Sequence, residues 1–346
     1  MKKGIYTLMA AGLLLATFTG CNRTDKEQVF VYNWGDYIDE EVNKKFEQET
    51  GIEVVYSVYA NNEEMYAKIA GGGSSYDVIV PSDYMIEKMI KEDLLQPLDK
   101  NLLPSYENID ERFLNLPYDE GNNYSVPYMW GTMGIVYNKN MVEGEIQSWN
   151  DMWNPIYENQ IFMYDSERDS IMVALKALGY SMNTRDLDQL EEAKQKLIEQ
   201  KPLVKAYVGD EGKGLMENNE AALMLAWAGD AQLMLDANSD LEYVLPKEGT
   251  NLFVDALVIP KDAKNVENAH KYIDFLTRPE ISAMNAEYIG YSTPSTKARE
   301  LLPEELRDSE IAYPSEELTK EMEMFNDPSD VIEVYTRIWT ELKAAH

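Results

Sequence analysis

The sequence carries one cysteine, Cys21, so no disulfide can form within the chain and its stability has to come from a packed core. It carries two histidines, His270 inside a helix-like stretch and His346 at the last position. Ser-His-Asp catalysis and histidine-based metal sites therefore lack their residues. Basic residues are outnumbered two to one, 31 Lys+Arg against 62 Asp+Glu. Such a surface repels nucleic acid and draws cations from a distance, and for most of its carboxylates solubility is reason enough. Asp236-x-Asn238-x-Asp240 opens like a calcium loop, but Leu241 and Lys247 stand where glycine and glutamate are needed. Gly71-Gly72-Gly73 has no lysine behind it and reads as a helix stop, not a phosphate cradle. No pair of acids is singled out as general acid and partner, which argues against a secreted hydrolase.

Apolar runs long enough to span a bilayer are missing too; the longest, Ile5–Phe18, is about fourteen residues and follows the basic pair Lys2 and Lys3. Closed by Thr19-Gly20-Cys21, it predicts a signal peptide over residues 1–20. Cys21 sits where a bacterial lipobox places its lipidated cysteine, with Phe18 where Leu is usual. Residues 21–28 then form a polar tether, and the exported chain is anchored to the outer face of the cell membrane or in the periplasm. Loss of Lys2 and Lys3 leaves 29 basic against 62 acidic residues, a net charge of −33.

Beyond the tether the chain alternates strand and helix patterns. Val29–Asn33, Ile52–Val58 and Tyr76–Val80 read as strands; Asp39–Glu49, Asn62–Ala70 and Tyr84–Lys91 read as helices. That spacing predicts parallel βαβ units with right-handed crossovers. Residues 98–124 look like a long connection. Gly134–Asn138, Ile161–Tyr164, Ala221–Trp227, Leu241–Leu245 and Ala256–Ile259 are further strands. Asp186–Gln200 reads as a helix with Leu187, Leu190, Leu197 and Ile198 inward, and Val331–Lys343 as a closing helix. Two α/β regions of similar size predict two lobes.

Open α/β sheets bind ligands beyond the carboxyl ends of their strands. There stand Trp34, Asp36 and Tyr37; Ser82, Asp83 and Tyr84; Ser166 and Asp169; Trp227 and Asp230; Phe253 and Asp255. Strand flanks often carry packing aromatics, and acids often cap helices. The same pairing at five strand ends points instead to a cleft for an elongated cation with an apolar stem. An ammonium bonds carboxylates through charge-assisted hydrogen bonds. Over a Trp or Tyr face it gains roughly 0.5–2 kcal/mol, and each buried CH₂ about 0.8 kcal/mol. Those terms can reach the roughly −8 kcal/mol of micromolar binding. A neutral sugar is the alternative: the rings would stack on it and Asp255 would accept its hydroxyls. Added salt should weaken the cation and hardly touch the sugar.

The stretches VYNWGDYI (31–38), YDVIVPSDYMIEKM (76–89), YSVPYMWGTMGIVYN (124–138), YDSERD (164–169), LPKEG (245–249), FVDALVIP (253–260) and IGYSTPS (289–295), in this order, resemble the substrate-binding proteins of bacterial polyamine importers, the spermidine/putrescine type. The resemblance covers essentially everything after the signal. It implies a two-lobed α/β fold of the type II periplasmic-binding-protein kind, with the ligand cleft between the lobes and two hinge crossovers, near Gly134–Tyr137 and Asp255–Val258. Lobe I would take 29–135 plus 257–295, and lobe II 136–256 plus 296–346. It also implies a monomer that is not an enzyme, needs no cofactor, and hands spermidine or putrescine to an ABC permease and its ATPase. Residue by residue, Trp34, Tyr37, Tyr84 and Trp227 match an aromatic wall. Asp255 matches the acid that holds a central amine, Asp36 and Asp169 match acids on the two lobes, and Ser82 matches a polar contact. The chain departs from the pattern at Phe253, where many members have Trp, and at Ser166, where some have a second acid. It departs also at Phe325, where some have an amide, and at Asp230, where some have a small polar residue.

Overall fold

The computed structural model describes residues 26–73, 75–320 and 322–345. The expected signal segment, the expected lipid on Cys21 and the first residues of the tether lie outside the described residues.

The amino-terminal region is built from βαβ units. Strands β1 (Gln28–Trp34), β2 (Glu53–Tyr59) and β3 (Val78–Ile79) alternate with helices α1 (Glu40–Thr50), α2 (Asn62–Ala70) and α3 (Asp83–Lys91). β1 runs parallel to both β2 and β3, so each connection has to cross over through a helix. Local chemistry ends α1 at both sides. The Asp39 carboxylate accepts the Glu41 N–H at its start, and Gly51 closes it in the left-handed region at φ 74°. Val42 and Phe46, one turn apart, are its buried face.

The chain then enters β4 (Ser125–Asn138), followed by β5 (Ile161–Tyr164), helices α4 (Glu167–Ala177) and α5 (Leu187–Gln200), and β6 (Val204–Val208). Helix α6 (Glu211–Glu217), β7 (Leu223–Trp227), α7 (Ala228–Ala237), β8 (Leu241–Val244) and β9 (Leu252–Val258) come next, and then α8 (Val266–Leu276) and α9 (Pro279–Ile289). The strand order is β2-β1-β3-β9-β4-β7-β5-β6, with β8 also on β4.

β4 belongs to two sheets. From Ser125 to Thr132 it pairs antiparallel with β9, and from Met133 to Asn138 with β7 and β8. The chain returns to the first sheet through 245–251, and β9 lies whole on that sheet, between β3 and β4. The pairing thus changes three residues before the expected lobe bound at 135/136, and five residues at the start of β9 lie on the first sheet before the expected bound at 256/257.

One continuous core runs under both sheets. A second forms where α4, α5 and the carboxyl-terminal helix Ile332–Ala344 meet, through Ile171, Leu175, Leu190, Leu197, Ile338 and Leu342. Leu187, expected inward, is 60% exposed, because it is the first residue of α5 and precedes the packed face. Among the described residues no helix is long and apolar enough to cross a membrane.

Candidate functional site

The strand ends converge on one cleft. A cavity of about 460 Å³ is lined by Trp34, Ser82, Tyr84, Ser166, Asp169, Trp227 and Phe253, among others. A smaller chamber of about 80 Å³ continues it past Trp34, Trp227 and Phe253 and reaches Asp36, Tyr37, Asp230 and Asp255. All twelve residues named at the strand ends line one chamber or the other.

The aromatic walls are held from behind. Trp34 ends β1, and its indole N–H donates to the Val80 carbonyl at 2.8 Å, which fixes the ring. Trp227 stacks on Tyr164 at 4.0 Å and 21°. Phe253 pairs with Gly131 across β9 and β4, and its ring lies against bare backbone: a Cβ on Gly131 would come within 2.8 Å of it. Tyr84 is already engaged. Arg168 lies over its ring at 4.5 Å, and its hydroxyl donates to Glu63 at 2.9 Å and accepts from Asn62 at 3.1 Å.

Asp255 is the most exceptional group. It is 5% exposed, its Oδ2 accepts the Tyr37 hydroxyl at 2.7 Å, and its Oδ1 has no hydrogen-bond partner among the described residues. Burial pushes its carboxyl up to about 6, and the neighbouring Ser82 hydroxyl, which makes no hydrogen bond to Oδ1, and the Tyr37 hydroxyl pull back only part of that. A buried carboxylate oxygen left unpaired is costly unless a donor reaches it.

Asp169 lies in the first turn of α4, buried, and burial pushes it up to about 6 as well, against the opposing pull of Ser166 and Arg168. Ser166 is the N-cap of that helix and accepts the Asp169 N–H at 3.4 Å. Ser82 starts α3 without a side-chain cap bond; instead its Oγ accepts from Asn62 at 3.1 Å. Neighbouring Asp83 is buried and pushed up to about 8, chiefly by burial.

Asp36 does not cap α1, since Asp39 does. It sits at φ 48°, so the left-handed turn after β1 falls on Asp36 and not on Gly35. Its carboxylate lies 3.8 Å from the Lys213 ammonium, which also lies 3.6 Å from Asp230. Asp230 accepts from the hydroxyls of Tyr164 at 3.1 Å and Tyr291 at 3.2 Å. Burial raises its carboxyl, and Lys213 and Tyr164 pull it back.

Several lining residues escaped the sequence reading: Asn62, Glu63, Arg168, Asp210, Lys213 and Tyr291. Asp210 and Lys213 lie just past β6, a strand that was missed; had it been seen, its far end would have been read with the others. Tyr291 lies inside IGYSTPS, after a helix and not a strand. Arg168 is a buried cation over Tyr84 and Phe325, and its Nε and Nη1 have no partner among the described residues.

Chemically the cleft is a slot of acids and ring faces that also takes in Arg168 and Lys213. It suits a ligand that donates hydrogen bonds and carries positive charge, with a stem that can lie between rings.

Comparison with known proteins agrees with this. The profile of the bacterial extracellular solute-binding proteins matches residues 41–313. The spermidine/putrescine-binding periplasmic protein of Salmonella typhimurium is 39% identical, over 99% of either chain. Among solved structures, a putative spermidine/putrescine ABC transporter protein from Listeria monocytogenes superposes with a TM-score of 0.90 at 45% identity, covering 92% of this chain and all of that one. The spermidine/putrescine ABC transporter substrate-binding protein of Streptococcus pneumoniae, solved with calcium and HEPES, gives 0.81 at 44% identity, over 92% of this chain and 99% of that one. The architecture is accordingly the two-lobed, type II α/β fold that the sequence led us to expect.

Proposed function

The chain belongs to the bacterial extracellular solute-binding protein family, a family of transport proteins and not of enzymes, and from that premise we propose that it binds a polyamine, spermidine or putrescine, in the cleft and delivers it to an ABC permease. The observation that carries this reading is the buried Oδ1 of Asp255, without a hydrogen-bond partner among the described residues, beside Trp34, Trp227 and Phe253. An ammonium would satisfy that oxygen while its methylenes lie along the rings. The relatives' names support the same ligand class.

In this reading Trp34, Tyr37, Trp227 and Phe253 are stem contacts, and Asp255 and Asp169 are the main charge partners. Ser82 orients the site from α3. Ser166 acts through Asp169 and Tyr84 through its edge. Lobe I comprises 29–132 and 252–295, lobe II 133–251 and the carboxyl-terminal helix, and closure of one on the other traps the ligand. We further propose that the protein works outside the cytoplasm as a monomer, anchored by a lipid on Cys21.

Calorimetric titration of the protein with putrescine, spermidine and a panel of neutral sugars, at low and high salt, tests the reading. Polyamine binding that weakens with salt is expected. Binding of a sugar alone, indifferent to salt, would replace it.

A further inference from the structure

Lys213 is the feature that a cation-binding cleft does not call for. It projects from α6 into the smaller chamber, whose other charged residues, Asp36, Asp210, Asp230 and Asp255, are all acids. Its ammonium lies 3.6 Å from Asp230 on lobe II and 3.8 Å from Asp36 across the cleft. Burial works against that charge, but Asp230, Asp210 and Asp36 outweigh burial and hold the ammonium above the usual lysine range. Lysine's side chain is itself an alkylammonium on a four-carbon stem. It presents to this chamber the same chemistry that the ligand presents to the rest of the cleft.

We infer that Lys213 is a specificity-determining residue: a tethered ammonium that occupies one cation position at the Asp230 end of the cleft and thereby disfavours a ligand with a third ammonium. The inference rests on the polyamine reading above. A diamine can meet Asp255 and Asp169 and leave Lys213 in place. A triamine long enough to reach Asp230 has to displace Lys213 or face it, and two ammoniums in one partly buried chamber repel. Asp230 explains why the lysine is held there. With two tyrosine hydroxyls and one ammonium around it, this buried acid is fully partnered without any ligand.

The test is the ratio of spermidine to putrescine affinity, measured by calorimetry on the wild type, Lys213→Met, Lys213→Gln and Lys213→Arg. Thermal melts identify any variant that fails to fold; Met and Gln remove the charge independently, so either one suffices. Both neutral variants are expected to shift the ratio about tenfold toward spermidine, about 1.4 kcal/mol. Lys213→Arg, which keeps a cation in the chamber, is expected to hold the wild-type side of the shift. An unchanged ratio overturns the inference. So does an equal loss for both ligands, which would make Lys213 only a brace between the lobes through Asp36. A wild-type protein that binds neither polyamine fails at the earlier step: it removes the polyamine reading itself.

Discussion

Acidification should release a bound polyamine, and the structure supplies the magnitude. Asp255 and Asp169 are both buried and both pushed up to about 6. A bound ammonium needs them ionised, so binding has to drive off whatever protons they carry. At pH 7.5 they carry almost none. At pH 5 each is about 90% protonated, and each therefore costs about tenfold in affinity, or about 1.4 kcal/mol. Together they predict a fall of about a hundredfold between pH 7.5 and pH 5. Asp83, pushed up to about 8, stays mostly protonated throughout and adds nothing. Asp230 already shares its charge with Lys213 and is left out of the count. Calorimetry at several pH values, in buffers of different ionisation enthalpy, reads both the affinity and the protons released. Close to two protons per ligand are expected at pH 5 and close to none at pH 7.5. A flat affinity with no proton release would refute the assignment of these carboxylates to a cation, and is what a neutral sugar would give.

The same contacts set other outcomes. Asp255→Asn should weaken polyamine binding by at least roughly 1.5 kcal/mol, the loss of a charge-assisted hydrogen bond; unchanged affinity by calorimetry would remove Asp255 from the site. The same variant should stabilise the ligand-free protein at pH 7.5. A carboxyl raised to about 6 in the fold costs stability that builds as pH rises from its ordinary value to about 6, so the effect is full at pH 7.5 and smaller at pH 5; melts at the two pH values check the sign. Trp34→Ala should cost a comparable amount of affinity and leave a folded protein. Loss of folding in circular dichroism would make the ring a core element, which its partial exposure and its place on both chambers argue against.

The first βαβ units were legible because each signal there is local. β-branched runs, caps such as Asp39 and Asn61, and Gly51 act within a few residues of one another. β4 was only half legible. Its first half carries Pro127 and Gly131, which read as breakers; the strand accommodates Pro127 at a shift in register and uses Gly131 to seat Phe253. β6 was missed because it comes after Pro202 and is not uniformly apolar, VKAYV being half-buried for most of its length. The acids and rings of the cleft were legible because their chemistry repeats at strand ends. Arg168 and Lys213 were not, since nothing in a search for acids and aromatics asks for cations, and their meaning depends on what the fold brings to them: ring faces under Arg168 and carboxylates within 4 Å of Lys213.

The shared strand gives the molecule a lever with a fulcrum. Any rotation of one lobe against the other has to twist β4 near Thr132 and Met133, where its partners change. Asp255 faces Met129 and Phe253 faces Gly131, only a few residues from that point. They would ride on the short arm and move least as the angle changes. Asp36 and Lys213 stand on opposite sides of the cleft and are tied to no common strand, as are Lys91 on α3 and Asp327, whose carbonyl Arg185 also bonds. These pairs ride on the long arm. On the proposed closure, the cleft would have a floor close to the crossovers in β4 and at 245–251 and a mouth whose gap changes most as the lobes turn. Spectroscopic labels across the mouth will register opening, and labels along the floor will remain silent.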